Sequence, residues 1–545
     1  MGVQQVNSSD NQGFDLEQIK AVDKDKIIDK VEKLTEISIA LSAEKDIKKL
    51  LEKILVGAKS ITNADAGTLY RVVDKTIKFE IIQTDSLGVA LGINEDIKIP
   101  NIPLYLEHAE PNLKNVVCCS YHHNATINIK DAYDSTQFDF SGTRAFDKSN
   151  NYLSKSFLSI PLVNHQGQVI GVLQLINALS PDTKEIIAFD EVSQQFAEAL
   201  ASQAATVLTK QQLITDLENL FESLIKLLAT AVDKKSPYTG GHCRRVPELT
   251  NMLAEAAHDT NEGYLKDFKL NEHDRYELSI AAWLHDCGKI ITPVNIVDKA
   301  TKLETIFDRI ELIATRFEVL KRDKENAFLK QQLAATQNNI LEQADAQALE
   351  AEIAQIDSDL QFIRQCNIGG EAMRDADMAR LQAIQATTWR LNNNELPLLT
   401  VDELYNLSIF RGTLTTEERK VINNHIDNTI EMLEAIKFPT HLKNVVEYAG
   451  GHHERMDGKG YPKGLTREQM SIQARIMAIA DIFEALTAKD RPYKPGKKLS
   501  ESLKILNMMK DEGHVDPDLY DVFINKKVYK KYAEKFLEDF QIDID

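Results

Sequence analysis

The 545-residue chain has little cysteine: five in all, an odd number, with only Cys118 and Cys119 adjacent. That count argues against a disulfide framework and points to a reducing compartment, so the expected location is cytoplasmic. Nowhere does the sequence sustain the roughly 18 or more apolar residues that a membrane-spanning helix requires, and Met1 to Phe14 is polar rather than signal-like. A soluble protein without membrane insertion is expected. Positive charge is in deficit as well, 64 Lys and Arg against 83 Asp and Glu, for a formal net charge of −19. This balance recruits neither a nucleic-acid polymer nor an anionic membrane, so an anionic substrate must be met by local lysines and arginines. What remains is ordinary globular material, 43% hydrophobic, in a chain long enough for about two or three domains.

The periodicity changes along the chain. Asp25 to Ala58 reads as one helix, with Ile27, Ile28, Val31, Leu34, Ile37 and Leu41 on helical spacing. Strand patterns follow at Gly67 to Val73, Ile77 to Thr84, Ser156 to Val163 and Val169 to Ile176, the last two joined by a turn at His165-Gln166-Gly167-Gln168. From Glu185 to Val232 the period is helical again, through Phe196, Leu200, Ala204, Val207, Leu208, Leu213, Leu217, Leu220, Leu224 and Leu227. The connection between domains is therefore expected to be a helix. A later stretch, Lys302 to Leu399, is rich in Ala, Glu, Gln, Lys and Leu and has no proline before Pro397. It predicts a helical hairpin followed by a helix from Glu371 to Leu391, whose polar face is solvated, covers a site, or contacts a second copy.

Residues that bind metals accumulate in the second half: His285-Asp286, His425, His452-His453-Glu454 and Asp481, with Gly460-Tyr461-Pro462 among them. Imidazoles and carboxylates in that number suit a pair of divalent transition ions, and paired ions cleave phosphoesters. Each residue alone reads more simply as a helix cap or a satisfied core histidine; the series is harder to explain that way. His285-Asp286 ends the apolar helix Leu278 to Leu284, Gly288 permits close approach, and a buried charge there calls for a partner such as a metal. His452-His453 follow Gly450-Gly451, and Asp481 sits in the apolar stretch from Ala474. Cys118-Cys119 with His122-His123 is a weaker cluster whose spacing fits no standard zinc site, and a surface or pocket-lining role is expected of it.

Two resemblances organise these readings. Ala66-Gly67-Thr68-Leu69-Tyr70, Asn128 to Tyr133, Ser156 to Leu162 and Ile170 to Asn177 resemble a GAF domain, a sensor module of signalling proteins. Asn177, Phe189, Asp190 and Glu191 match nucleotide-binding members, but Ala178 stands where those carry Lys. A small-molecule sensor and a ligand-free dimerising module both stay open. Tyr238 to Val246, Leu284 to Lys289, Leu414 to Arg419 up to His425, His452 to Pro462, Ala474-Arg475-Ile476, Asp481 and Arg491 to Lys494 resemble the HD-GYP family, bacterial HD-superfamily hydrolases of cyclic dinucleotides.

That resemblance implies a multidomain protein: an α/β (α+β) GAF domain, then an all-α HD-GYP domain with a long helical insertion. The implied boundaries are a polar tail and helix start at 1–29, GAF sensor at 30–205, connecting helix at 206–235, HD-GYP parts at 236–301 and 400–545, and insertion at 302–399. The metal ligands it implies are His242, His285, Asp286, His425, His452, His453 and Asp481, holding two divalent ions, iron or manganese, with Asp286 bridging. Lys289 joins Asp286 as catalytic, holding the phosphate or assisting the departing oxygen, while Arg455, Tyr461, Arg491 and Lys494 contact substrate. Some relatives hold a third metal through a Glu before the first His; Tyr238 occupies that position, which favours two. The implied activity is hydrolysis of cyclic di-GMP to pGpG, and onward to GMP, by hydroxide generated between the ions, under GAF control in a homodimer. The alternatives are another cyclic dinucleotide such as 3',3'-cyclic GMP-AMP, or a non-catalytic receptor or scaffold.

Overall fold

The computed structural model describes residues 24–44, 46–92, 97–236, 240–337, 346–370, 372–392, 394–488 and 496–544. The chain forms two compact units, one up to Asn219 and one from Leu220 onward. In the first, the expected single helix is two, α1 (Lys24–Ala43) and α2 (Ile47–Thr62). Asp46 separates them because its carboxylate caps α2, accepting from the Lys48 and Lys49 amides. Strands β1 (Ala64–Val73), β2 (Thr76–Thr84), β3 (Val89–Leu91), β4 (Ile102–Pro103), β5 (Ile127–Ile129), β6 (Phe157–Val163), β7 (Val169–Leu179) and β8 (Ile186–Ile187) build one antiparallel sheet. Its main order is β3-β2-β1-β7-β6-β5, with β4 on β2 and β8 on β7. Helices α3 (Val116–His123), α4 (Ser141–Asn150) and α5 (Glu191–Lys235) complete the order.

Strand alternation sorts the core of this unit into separate clusters. Leu69, Leu173 and Leu175 pack with Leu51 and Ile54 of α2 and Phe196, Leu200 and Ala204 of α5. Tyr70 and Val172 pack instead with Val117 and Cys118 of α3. Cys118 and Cys119 are thus core thiols rather than surface or pocket-lining ones, Cys119 packing with Phe138 and Phe140. Asn177 and Asp190 also serve the fold: Asn177 accepts from the Lys155 and Ser156 amides and donates to Tyr152 and Leu153, and Asp190 accepts from the Ser193 amide and hydroxyl.

Among the described residues the second unit is helical apart from one hairpin. It contains α6 (His242–His258), α7 (Glu272–Leu284), α8 (Val294–Val297), α9 (Ile310–Gln337), α10 (Ala346–Ile368) and α11 (Asp375–Ala386). The hairpin β9 (Thr388–Leu391) and β10 (Asn394–Pro397) follows. Then come α12 (Val401–Leu407), α13 (Thr416–Asn423), α14 (His425–Glu434), α15 (Val445–Gly450), α16 (Ile472–Thr487), α17 (Leu499–Asp511), α18 (Pro517–Asn525) and α19 (Val528–Phe536). The main core joins α6, α7, α15, α16 and the C-terminal helices through Leu249, Leu253, Leu278, Tyr448, Met477, Phe483 and Phe523. Among the described residues no helix is long and apolar enough to cross a membrane.

In the 302–399 stretch, α9 and α10 form the expected antiparallel hairpin. The helix expected to reach Leu391 stops at Ala386, where the chain turns into β9–β10. The β-branched and aromatic run Thr387-Thr388-Trp389 prefers a strand, Asn392 takes the left-handed conformation a tight turn needs (φ 51°), and Pro397 cannot continue a helix. A separate small core, including Leu303, Phe317, Ile363, Leu381 and Leu407, holds this stretch together.

Candidate metal centre

In the second unit, several elements begin or end at a potential ligand. His242 is the first residue of α6, His285 and Asp286 directly follow α7, and His425 opens α14. His452 and His453 follow the end of α15 at Gly450, while Asp481 lies inside α16. Their ligand atoms converge. Asp286 Oδ2 lies 3.1 Å from His242 Nε2 and 3.4 Å from His285 Nε2, whereas Oδ1 lies 3.2 Å from His425 Nε2. Asp481 Oδ1 lies 3.3 Å from His242 Nε2 and 3.9 Å from His285 Nε2. The result is two groups, His242–His285–Asp286 and His425–His452–His453, with ligand atoms in each within 4.8 Å of one another. Asp286 turns one oxygen toward each group.

The backbone orients the imidazoles. Nδ1 of His285, His425 and His452 lies 2.7, 2.5 and 2.5 Å from the carbonyls of Ala282, Ile422 and Ala449, each three residues back. A carbonyl only accepts, so Nδ1 carries the hydrogen and Nε2 presents its lone pair to the cluster. Asp286 Oδ1, His425 Nε2 and His452 Nε2 are accordingly buried without a hydrogen-bond partner. An unsatisfied buried polar atom costs about 1–3 kcal/mol. Acceptors facing each other at 3.2 Å repel unless a cation neutralises them. The donor set therefore fits divalent metal.

Charge follows the same pattern. Burial would raise the Asp286 carboxyl, but Lys289 above all, with His242 beside it, holds it well below the usual carboxylate range; Lys289 Nζ is 2.5 Å from Oδ2. Burial also opposes ionisation of Asp481, yet His242 and its neighbours keep that carboxyl low. Burial, reinforced by neighbouring histidines, pushes His452 well below the usual imidazole value, and burial carries His453 down to about 4. Both are neutral, the ligating form, near neutral pH. His242 differs: burial would lower it, but Glu484 and the nearby aspartates raise it well above the ordinary value.

Glu484 has no counterpart among the sequence-based candidates. It lies one turn beyond Asp481 on α16, fully buried, with Oε2 2.5 Å from His242 Nδ1 and Oε1 accepting from Arg245 Nε at 2.7 Å. A carboxylate behind a ligating imidazole fixes the ring and strengthens its basicity. The signal was available: Asp481 and Glu484, spaced i,i+3, share one face of an apolar helix, where a lone buried carboxylate needs partners. Glu454, counted with the ligand residues in the sequence, instead accepts the Lys463 and Leu465 amides at 2.7 and 2.9 Å and so folds the Gly460-Tyr461-Pro462 loop. That loop passes so close that a Cβ on Gly460 would lie 2.4 Å from the Arg455 nitrogen.

The expected substrate residues are in varied settings. The Tyr461 ring stacks on His453, centroids 4.9 Å apart, and burial pushes its hydroxyl up to about 12. Arg455 makes a two-pronged pair with Asp457 at 3.0 and 2.9 Å. Arg491, Lys494 and Tyr238 lie outside the described residues. The Cys118-Cys119-His122-His123 set does not gather ligand atoms: among the described residues only the two groups above do. His122 Nε2 is 2.7 Å from the Leu104 carbonyl, and Cys119 Sγ is 3.4 Å from His123 Nδ1.

Comparisons agree with this division. Residues 46–208 match the GAF domain family and 398–519 match an HD domain family. A cyclic di-GMP phosphodiesterase of Pseudomonas aeruginosa is 39% identical over 113 residues, 21% of this chain and 26% of that protein. A 3'3'-cGAMP-specific phosphodiesterase of Vibrio cholerae is 24% identical over 375 residues, 65% of this chain and 54% of that protein. A cyclic di-GMP phosphodiesterase of Thermotoga maritima is 32% identical over 130 residues, 24% and 34% respectively. The chain thus spans less than two thirds of each of these relatives. His242, His285 and Asp286 precede the matched HD segment, yet the fold brings them against His425, His452 and His453 within it. Family matches, sheet topology and converging ligands together make this chain a GAF-domain protein whose second part is a helical HD domain.

Proposed function

We propose that the protein is a metal-dependent phosphodiesterase that opens cyclic di-GMP to pGpG, with onward cleavage to GMP. The observation that carries this reading is Asp286, one oxygen turned to each of two histidine groups whose buried Nε2 atoms at His425 and His452 lack partners. In this reading His242, His285, His425, His452, His453, Asp286 and Asp481 hold two ions, iron or manganese. Divalent ions bound there supply an activated water and neutralise phosphoryl oxygen charge. Asp286 sets the spacing of the two groups. Lys289, already at Asp286, steadies the phosphate or delivers a proton to the leaving 3'-oxygen, and Tyr461 shapes the pocket beside His453. Arg455, Arg491 and Lys494 supply the local positive charge that an acidic protein must provide.

Hydrolysis of cyclic di-GMP by protein loaded with iron(II) or manganese(II), beside Asp286→Ala and with 3',3'-cyclic GMP-AMP in parallel, tests this. Turnover by wild type and none by the variant supports the reading. Metal uptake without turnover of either dinucleotide replaces it with a receptor. The mixed dinucleotide is the second reading because the relative matched over 65% of this chain is named for that substrate.

The GAF domain regulates this activity, and a groove of about 1280 Å³ in the first unit, lined by Tyr70, Lys78, Tyr105, Tyr121 and His122, offers space for a small molecule. The active species is a homodimer. Leu213, Leu217, Leu220, Leu224 and Leu227 of α5 repeat at intervals of four and three, each more than half exposed, a pattern that supports pairing through a two-stranded coiled coil.

A further inference from the structure

The C-terminal end of α5 touches two of the segments that carry the His242–His285–Asp286 group. Val232 and Ala229 pack with Cys243, next to His242, and with Trp283 of α7. Beyond this packing, Asp233 and Lys235 make directed polar contacts. The Asp233 carboxylate is buried and accepts the amides of Gly241 at 3.1 Å and Cys243 at 3.2 Å, the residues on either side of His242. Those amides belong to the first turn of α6, where backbone donors have no partner within the helix. Lys235 Nζ donates to three carbonyls, Lys289 at 3.0 Å, Ile290 at 2.5 Å and Thr292 at 2.5 Å. These three contacts match the three hydrogens of an ammonium group, and they hold the turn that starts at Asp286 and carries Lys289.

We propose that Asp233 and Lys235 are positioning residues that clamp the His242 and Asp286 segments to α5, so that the end of this helix sets the metal affinity of the His242–His285–Asp286 group. The inference rests on the two-ion reading above. Asp233 acts on His242 only through the backbone: losing its carboxylate frees the first turn of α6 and lets the imidazole drift from Asp286 and Asp481. Lys235 acts likewise on Asp286, by holding the carbonyl end of the following turn. The hydrogen bonds of Asp233 run to the amides flanking His242, whereas those of Lys235 run to the turn that follows Asp286, which faces both groups, so the two side chains bear differently on the two halves. Helix α5 also carries the exposed leucine repeat, so a change in how that repeat is packed reaches the metal ligands through these two side chains.

Manganese titration of the full-length protein, read by free-ion EPR and by equivalents bound after desalting, tests the clamp. Asp233→Ala is expected to weaken one of two equivalents by about 10–100-fold, the range for groups that orient metal ligands, and to leave the other unchanged; Lys235→Met, acting through Asp286, which faces both groups, is expected to weaken both without lowering the unfolding midpoint. Lys235→Arg, which keeps several donors, should recover most of the affinity, and Lys234→Ala, an exposed neighbour, should match wild type. Added manganese should restore turnover to the two weakened variants. Unchanged affinity for both equivalents, or equal weakening of both together with a lowered unfolding midpoint, overturns the clamp. If wild type binds fewer than two equivalents the two-ion reading fails instead, and the clamp is then judged on whether the variants weaken the single equivalent.

Discussion

Replacing Gly288 with alanine should separate the two halves of the metal centre. A Cβ at that position would lie 2.1 Å from the His425 carbonyl oxygen, 2.5 Å from the Thr429 nitrogen and 2.7 Å from its hydroxyl. Two of these atoms are backbone, and the Gly288 amide already donates to the Thr429 hydroxyl at 3.0 Å. Rotating a side chain therefore cannot relieve the clash, and α14 must withdraw by about 1 Å from a close-packed contact. Extra volume of this kind costs about 1–3 kcal/mol. The larger effect is on geometry, since His425 opens α14 and its Nε2 is 3.2 Å from Asp286 Oδ1. A shift of about 1 Å at a reacting centre lowers the rate on the order of 100-fold. The assays are turnover of cyclic di-GMP at saturating manganese and denaturant unfolding of the metal-free protein. Wild-type turnover in Gly288→Ala would refute the argument that this glycine sets the separation of the two groups.

Other perturbations probe the rest of the site and the helix that leads to it. Glu484→Gln leaves Arg245 without its carboxylate and His242 Nδ1 with a neutral acceptor; manganese affinity should fall about 10–100-fold, and turnover should return with excess metal. His453 has its imidazole lowered to about 4 against an ordinary 6.5, chiefly by burial. Unfolded chains then bind the extra proton between those values, so metal-free protein should lose stability as pH falls from 6.5 toward 4, and His453→Gln should flatten that part of a urea-unfolding profile. Leu220→Glu with Leu224→Glu places like charges among the exposed α5 leucines, and light scattering should report a monomer for the variant against the dimer proposed for wild type.

Much of the centre was legible because its chemistry is dense in sequence. His285-Asp286 and His452-His453 are adjacent pairs at helix ends, the first directly after α7 and the second one residue beyond α15, and the termination of those helices is what turns both members of each pair inward. Gly288 was legible for the same reason, as a residue whose missing side chain permits a close approach. The supporting residues were harder to read. Glu484, Arg245 and Lys235 act through partners remote in sequence, and although its spacing from Asp481 placed Glu484 on the same helix face, nothing local named His242 as the imidazole it orients. Glu454 misled because adjacency to His453 suggested a third ligand, whereas the backbone amides of Lys463 and Leu465 claim its oxygens. The α1–α2 break turns on Asp46, and the β9–β10 hairpin on the Thr387-Thr388-Trp389 run, Asn392 and Pro397, whose local preferences override an otherwise helical stretch. The leucines of α5 read as one continuous apolar series. The structure divides them between Phe196 to Ala204, buried in the first unit, and Leu213 to Leu227, exposed.

The 302–399 stretch leaves the cluster of His and Asp residues together because of how its ends are tied. Thr413 donates to the Lys299 carbonyl at 2.9 Å, Lys299 Nζ lies 2.7 Å from Glu418, and the buried Lys302 ammonium donates to the carbonyls of Leu407 and Ile409. The chain thus leaves and returns at one place, and the intervening residues satisfy their own apolar surface in the core around Phe317 and Ile363. Closing a long loop costs little more than closing a short one once its ends are pinned, because the entropy grows only with the logarithm of length. Gly288 and Thr429 are 141 residues apart in sequence yet share a hydrogen bond. His242, His285 and Asp286 likewise precede residue 398, where the HD family match begins, and yet Asp286 lies 3.2 Å from His425: the two halves of the cluster are apart in sequence, not in space. On this arrangement the lysines at the base, Lys299 and Lys302, should matter more to the candidate metal centre than the far ends of α9 and α10. Trimming α9 and α10 while keeping both lysines and their acceptors should leave metal uptake as it is, whereas Lys302→Met, which removes a buried donor from two carbonyls, should impair it.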